Sequence, residues 1–294
     1  MTPTIPRVTN GDNEYPLDDE KKISGRKNRV ILGYKATMLS YIMYTYLAFT
    51  NSVGQKMIYY FSSGHALAAG VAYIMISAAK NDRLNSDTYK RLNLCMLQYG
   101  LAGFFMVYVS KTAFPRSIIV FLPHVLAIIN SIKGYSYGVL GLDKKKSPSH
   151  LLSDFVDGTK STIKGTLLSI PNNVKSFGYL GAVAMVGTMK LAKLSELIQL
   201  IYNHSSVEII ASRLSRMARL AFMTMVFYTL KDAADRDRLE GTTFIQLNFL
   251  SAITMGAMTE YVGIQTRLGG LSAFFTMYCI FNGITSILKK KQKA

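Results

Sequence analysis

The sequence predicts an all-α, polytopic helical membrane protein with about six to eight spans. Only 17% of its 294 residues are charged, and these residues are bunched between long uncharged runs. The five longest runs cover residues 36–55, 57–79, 94–110, 241–259 and 268–288. About 20 apolar helical residues span a bilayer core of about 30 Å, and lipid offers the backbone no hydrogen-bond partners. These runs are therefore expected to be helices that cross a membrane.

Residues 1–35 are predicted to be a polar cytosolic tail. This segment mixes acidic and basic residues, contains three prolines and has no apolar stretch. It therefore has the features of neither a cleavable signal peptide nor an amphipathic transit peptide.

Residues 36–142 are predicted to form a four-span bundle. The spans are expected at about 36–54, 57–79, 94–110 and 117–142. Basic residues crowd the preceding tail, the connector at 80–91 and the segment after the fourth span, whereas the other two turns carry few. By the positive-inside rule, the basic connectors and both termini face the cytosol.

Residues 143–176 are predicted to be a basic linker with an amphipathic helix at the membrane interface. Apolar residues recur at helical spacing over 147–170, between Pro148 and Pro171. A basic surface of this kind attracts anionic lipid. The predicted interface residues are Lys144, Lys145, Lys146, Phe155, Lys160, Lys164 and Leu167. The same pattern also fits a helix that packs on neighbouring spans.

Residues 177–288 are predicted to be a second membrane region with two to four spans. The stretch from 174 to 230 fits either a short helical hairpin or two helices in the membrane plane. The last two spans are expected at about 243–264 and 268–288, followed by a basic cytosolic tail at 289–294. The sequence shows no convincing internal repeat.

The sequence contains no motif that is typical of a catalytic or cofactor site. Its four histidines have no partner at metal-ligand spacing, and the two cysteines lie in apolar runs. We therefore predict a protein that is not an enzyme and binds neither cofactor nor metal. The net charge of +17 lies beside the spans, so we expect anionic lipid rather than nucleic acid to be its partner.

Four polar residues within the predicted spans are candidate functional groups, because a charge in the bilayer is costly. Glu260 and Lys133 are expected to reach the interface or to pair inside the bundle. His65 is expected to form a hydrogen bond with a neighbouring helix. His124 follows Pro123, which leaves a helix carbonyl without its usual backbone donor.

Residues 57–141 resemble the transmembrane protein 33 family, which includes pore-membrane nucleoporins of fungi. The resemblance rests on Tyr59-Tyr60-Phe61, Tyr73, Gln98-Tyr99, Phe121-Leu122-Pro123 and Tyr135. It implies a protein of the endoplasmic reticulum and nuclear envelope that shapes membranes and associates with other integral membrane proteins.

Three functions fit the sequence. The first is a non-enzymatic protein that shapes or scaffolds a membrane, with the amphipathic helix inserted as a wedge. The second is a small transporter or channel that uses Glu260, Lys133 and His65. The third is an accessory subunit of a multi-subunit complex, which would place the protein in a mitochondrion or plastid.

Overall fold

The structure, a computed structural model, describes residues 17–50, 55–109, 116–140, 153–154, 156–157 and 170–292. This part of the chain is all-α, which confirms the predicted fold class at that level. Eight helices follow one another in it: α1 Leu17–Thr50, α2 Gln55–Lys80, α3 Asp87–Val109, α4 Arg116–Leu140, α5 Val174–Tyr202, α6 Val207–Asp235, α7 Thr242–Val262 and α8 Arg267–Gln292.

The first and last helices are longer than the predicted spans. Helix α1 begins at Leu17, so residues 17–35 continue a helix instead of forming a tail, and residues 1–16 lie outside the described part. Lys27 on this extension binds Asp82 in the α2–α3 connector at 2.5 Å. Helix α8 likewise continues to Gln292, through most of the predicted tail at 289–294. Polar helix ends thus extend beyond the apolar stretches that set the predicted bounds.

Of the two alternatives for residues 174–230, the structure has the hairpin. Helices α5 and α6 pack against each other along their length, and the salt bridge between Arg213 and Glu196 joins them at 2.7 Å. Asn173 caps α5, because its side chain accepts a hydrogen bond from the backbone N–H of Ser176 and its own backbone N–H donates to Ser176 Oγ. The hairpin is longer than the weak hydropathy of this stretch indicates.

The helices form two four-helix halves, which we call half A (α1–α4) and half B (α5–α8). In half A, α1 packs against α2 and α4, and α3 packs against α4; in half B, α5 packs against α6 and α7 against α8. The halves meet where α2 contacts α7 and α3 contacts α6. The α2–α3 and α6–α7 connectors lie at the same end of the bundle, which we call the basic end.

The two halves are a repeat, which corrects the expectation that the chain contains none. Residues 71–93 and 226–248 align without gaps and are identical at ten of 23 positions. The end of α2 lies 155 residues before the end of α6. The start of α3 likewise lies 155 residues before the start of α7. The shared residues are Val71/Val226, Tyr73/Tyr228, Ala78/Ala233, Ala79/Ala234, Asp82/Asp237, Arg83/Arg238, Leu84/Leu239, Thr88/Thr243, Leu92/Leu247 and Asn93/Asn248.

The repeated connectors have the same backbone geometry. Asp82 and Asp237 both adopt the left-handed conformation, with φ of 52° and 50°. The residue after each donates its N–H to a carbonyl five residues earlier, as in the Schellman motif that ends many helices. Three further hydrogen bonds at the start of the following helix also recur. Sequence and local structure therefore repeat together.

Buried hydrogen bonds repeat as well. The Tyr34 hydroxyl donates to Asn93 Oδ1 in half A, and the Tyr179 hydroxyl donates to Asn248 Oδ1 at 2.6 Å in half B. Each tyrosine follows a glycine, and a Cβ atom on Gly33 would lie 2.2 Å from Asn130 Oδ1. The glycine thus lets a neighbouring side chain approach the backbone closely. These shared polar contacts belong to the architecture of the repeat.

The bundle has an apolar exterior and a partly polar interior. Helix α8 shows this most clearly, because six apolar side chains on its outer face are 47–66% exposed while Ser272, Asn282 and Ser286 on its inner face are buried. The outer residues are Leu271, Phe274, Met277, Phe281, Ile284 and Leu288. Among the described residues, helices α3 and α8 are long and apolar enough to cross a membrane.

Candidate functional site

A cluster of polar and aromatic side chains lies in the core of half A. We call it the His–Tyr–Arg cluster, and its members come from α1, α2, α3, α4 and α6: Tyr41, Tyr44, His65, Tyr99, His124 and Arg219. The imidazoles of His65 and His124 are close, with ring centroids 5.7 Å apart. Residues that are far apart in the sequence therefore meet at one point.

Hydrogen bonds and ring contacts fix the two histidines. The Tyr99 hydroxyl lies 3.0 Å from His65 Nδ1, which places the predicted hydrogen bond of His65 on α3. The Tyr41 hydroxyl lies 3.2 Å from His124 Nδ1. The Tyr44 ring meets His65 edge to face, with centroids 4.6 Å apart. Each imidazole therefore has a hydroxyl partner on a neighbouring helix.

Two glycines make room for the cluster. A Cβ atom on Gly103 would lie 2.1 Å from the His124 ring, so this glycine lets α4 bring its histidine close to α3. A Cβ atom on Gly64 would lie 2.6 Å from the Tyr99 hydroxyl and 2.7 Å from Arg219 Cδ. The backbone of half A is therefore shaped to admit these side chains.

A small cavity of about 20 Å³ lies beside the cluster. Five residues of the cluster line it, together with Met106, Ser215 and Arg216. Two arginines, two histidines and three residues with hydroxyl groups thus line a space that would hold one water molecule or one small ion. No carboxylate is among the described residues that line this cavity.

Half B packs the same positions without such a cluster. By the repeat, His65 corresponds to Leu220 and Tyr99 to Thr254, both of which are buried. By the alignment of Gly33-Tyr34 with Gly178-Tyr179, Tyr41 corresponds to Val186, which is also buried. Because half B folds with aliphatic or small side chains here, packing of the repeat does not require the histidines or tyrosines.

A second cleft, of about 840 Å³, lies at the basic end between the two repeated connectors. The Tyr89 hydroxyl forms a hydrogen bond with Thr243 Oγ1 across it, at 2.8 Å. Acidic and basic groups alternate along its walls, so it does not have the single charge that would select an ion. Its charged residues are Asp82, Arg83, Asp237, Arg238, Glu240 and Lys290.

The structure separates the four predicted intramembrane polar residues into two classes. His65 and His124 are buried together in the cluster. Lys133 and Glu260 are exposed, and neither lines the cavity between the histidines. The second pair therefore does not join a common site with the first.

The seven predicted interface residues, from Lys144 to Leu167, lie outside the described part of the chain. Asp154 within this segment is described, and its carboxylate contacts two helices. Lys90 Nζ on α3 lies 2.7 Å from Asp154 Oδ1, and the Tyr135 hydroxyl on α4 donates to Asp154 Oδ2 at 2.7 Å. Residue 154 therefore lies against the basic end of half A.

Sequence reasoning missed Arg219, whose side chain is buried in the cluster. From the sequence it belongs to a basic stripe with Arg213 and Arg216 that precedes an apolar run. The repeat carries the missing signal, because Arg219 occupies the position that Gly64 has in half A. Glycine in half A and arginine in half B at equivalent positions indicate that the two halves contribute differently to the cluster.

No group of three or more His, Cys, Asp or Glu side chains is placed to hold a metal ion within the ranges that the structure describes. Comparison with family models, curated proteins and solved structures gives no match to this chain. The resemblance over residues 57–141 accordingly stays a prediction.

Proposed function

We propose that the chain is a polytopic integral membrane protein that acts as a non-enzymatic scaffold and shapes the membrane around it. In this proposal α1–α8 cross the bilayer, and the basic end faces the cytosol. We propose the endoplasmic reticulum and nuclear envelope as its location, on the resemblance described above. The observation that carries the membrane part is the inverted polarity of the bundle.

Inverted polarity is the arrangement expected for a bundle whose solvent is lipid. A soluble protein exposes apolar side chains singly, whereas a contiguous apolar surface marks contact with a membrane or a partner. The outer face of α8 is continuous from Leu271 to Leu288, over about 25 Å of helix. The polar groups of α8 instead face other helices, where Ser272 donates to the Met255 carbonyl at 2.9 Å.

Charge supports the proposed orientation. Helices α1, α4, α5 and α8 begin or end at the basic end, together with both connectors of the repeat. Lys289, Lys290 and Lys291 form the last turn of α8 there. Lysines and arginines concentrate on the cytosolic side of membrane proteins, so this end is the one expected in the cytosol.

The scaffold part of the proposal rests on the segment between α4 and α5. This segment starts and finishes at the basic end, and Asp154 contacts α3 and α4 there. An amphipathic helix beside that contact would lie at the depth of the lipid headgroups, where insertion expands one leaflet. The basic end would thus present a wedge to the cytosolic monolayer.

The topology is tested with single cysteines in sealed microsomes. Cys95 and Cys279 are first replaced by alanine, and Asn85→Cys at the basic end is compared with Asn203→Cys and Gln265→Cys at the other end. We expect an impermeant thiol reagent to label the first variant from outside and the other two only after permeabilisation. Labelling of all three from outside would contradict eight spans.

The scaffold function is tested on vesicles that contain anionic lipid. We expect the reconstituted protein to tubulate them, and we expect the double variant Phe155→Asp/Leu167→Asp to lose this effect. Asp157→Asn is the matched control on the polar side of the segment and should behave like wild type. Tubulation by the double variant would rule out the wedge. Migration of native extracts as one large complex would instead favour an accessory subunit.

A further inference from the structure

We propose that the His–Tyr–Arg cluster of half A binds a small inorganic anion of about the size of a halide ion. The proposal concerns a site within the bundle and does not depend on the scaffold function. It rests on three observations: the chemistry of the groups that line the cavity, its size, and the absence of equivalent groups from the corresponding positions of half B.

The lining favours an anion over a cation. The cavity is lined by two arginines, Arg216 and Arg219, by three residues with hydroxyl groups, and by the two histidines. Guanidinium groups only donate hydrogen bonds, and hydroxyl groups can donate them. Among the described residues that line the cavity no carboxylate is present to attract a cation. A lining with two cationic side chains and no carboxylate suits an anion better than a cation.

The volume restricts the anion to a small one. A cavity of about 20 Å³ exceeds the roughly 10–15 Å³ that one water molecule needs, so we expect it to accept a monatomic anion in preference to a larger polyatomic one such as sulfate or gluconate. Chloride and bromide are monatomic and are smaller than sulfate or gluconate. Donors fixed by the fold would replace the water that such an ion loses on entry.

The repeat indicates that the cluster is built for more than packing. In half B, Leu220 takes the place of His65 and Thr254 takes the place of Tyr99. Both side chains are buried among helices arranged as in half A. Apolar or small side chains are thus sufficient to pack these positions, so packing of the repeat does not account for the polar groups of half A. Gly64 strengthens this conclusion, because its missing side chain gives Arg219 the space to enter half A.

The experiment measures thermal unfolding of the purified full-length protein in detergent. Cys95 and Cys279 are buried and would react with a fluorogenic thiol dye only on unfolding. Sodium chloride is titrated against sodium gluconate at constant ionic strength, with bromide and sulfate as further probes. We expect chloride and bromide to raise the Tm by about 5 °C at saturation, and gluconate and sulfate to have no such effect.

Three variants test whether the rise in Tm with chloride comes from binding at the His–Tyr–Arg cluster. Arg219→Gln removes a charge from the cavity and Tyr99→Phe removes one hydroxyl, so we expect the first to abolish the chloride response and the second to raise its midpoint at least threefold. Tyr179→Phe is the matched control, because it removes a buried hydroxyl from half B. It should lower the Tm but keep the chloride response.

The proposal is overturned if wild type shows no response that is specific to halides. It is also overturned if Arg219→Gln responds to chloride as wild type does. If Arg219→Gln does not fold, Tyr99→Phe decides alone. A raised chloride midpoint in Tyr99→Phe then supports the site, and an unchanged midpoint overturns it.

Discussion

Arg219 and Gly64 occupy equivalent positions in the two halves, and the side chain of Arg219 packs against the backbone of Gly64. A Cβ atom at position 64 would lie 2.7 Å from Arg219 Cδ, so the two residues can be neighbours only because one of them is glycine. The contact breaks the symmetry of the repeat at its centre. Half B thereby contributes Arg219, together with Ser215 and Arg216, to a cavity whose other lining residues belong to half A.

The close approach of α4 to α3 predicts that Gly103→Ala is destabilising. The new methyl group would overlap the His124 ring, and overpacking of this kind costs about 1–3 kcal/mol. Gly187→Ala is the control, because its Cβ atom would meet nothing within 4 Å and alanine favours the helix. In thermal unfolding, the Tm of Gly187→Ala should equal or exceed that of wild type, and the Tm of Gly103→Ala should be lower. Equal stability of the two variants would contradict the packing described here.

The repeated tyrosine–asparagine hydrogen bonds predict that removing either one lowers the free energy of unfolding by a similar amount. Tyr34→Phe and Tyr179→Phe each remove a hydroxyl from a buried asparagine, which should cost about 1 kcal/mol or somewhat more. The two sites lie in different halves, so the double variant should lose the sum. Denaturant unfolding of the two single variants and the double variant tests this. A stability loss in one half only would show that the two bonds are not equivalent.

The left-handed conformation of Asp237 predicts opposite effects from two substitutions. Glycine adopts φ of about 50° without cost, so Asp237→Gly should be at least as stable as wild type. Valine is branched at Cβ and should lower stability by about 1–2 kcal/mol at this position. Melting temperatures of the two variants provide the comparison. If valine were tolerated as well as glycine, the turn would not have the backbone conformation of its repeat partner.

The environment of Asp235 at the basic end predicts a pH dependence. Burial raises the pKa of this carboxyl group, but the backbone N–H of Asn172 at 3.0 Å and the Lys231 ammonium at 2.9 Å outweigh burial and hold it below its ordinary value of 3.8. The carboxylate therefore stabilises the fold above about pH 4, and this contribution is lost as the pH falls towards the folded-state pKa.

Asp235→Asn removes that contribution at every pH. We expect wild type to be the more stable protein at pH 7, and we expect the difference between the two to shrink between pH 5 and pH 3. Thermal unfolding across this range measures the difference. A gap that stays constant with pH would show that the carboxylate has no linked role.

The apolar exterior predicts that charge on the outer face of α8 impairs insertion. Phe281 lies at the middle of the exposed stripe, and Phe281→Lys should cost about 2.5–3.5 kcal/mol of insertion free energy near the centre of a bilayer. Leu288→Lys, near the lysines at the end of α8, is the control and should insert normally. The fraction that resists carbonate extraction is the readout. A soluble, folded Phe281→Lys variant would contradict a membrane location for α8.

Local patterns in the sequence were sufficient for part of this fold. Uncharged runs predicted α2, α3, α7 and α8, and a largely apolar stretch that contains Lys133 predicted α4, because a membrane-length helix requires a nearly continuous apolar stretch. The same criterion placed the start of α1 at residue 36 instead of Leu17, since a polar helix end has no apolar run to mark it. It also left the α5–α6 hairpin undecided, because Lys190 and Lys193 interrupt its apolar pattern.

The repeat escaped detection because most of its identities fall in one connector and the helix ends beside it. Elsewhere one apolar residue replaces another with little effect on packing. The distance in sequence between equivalent residues also differs, since it is 155 residues in the connector region and 145 residues between Gly33 and Gly178. Only the paired left-handed aspartates and the equivalent tyrosine–asparagine bonds made the correspondence evident.

The sequence by itself determined the helical class, the apolar lengths of most helices and the end of the bundle where positive charge collects. These are local properties, set by composition and by the period of the helix. Only the tertiary structure decided that His65, His124 and Arg219 meet while Lys133 and Glu260 remain at the surface. Which helix faces which depends on shape complementarity between distant segments, here created by Gly64 and Gly103, and one-dimensional patterns carry no record of it.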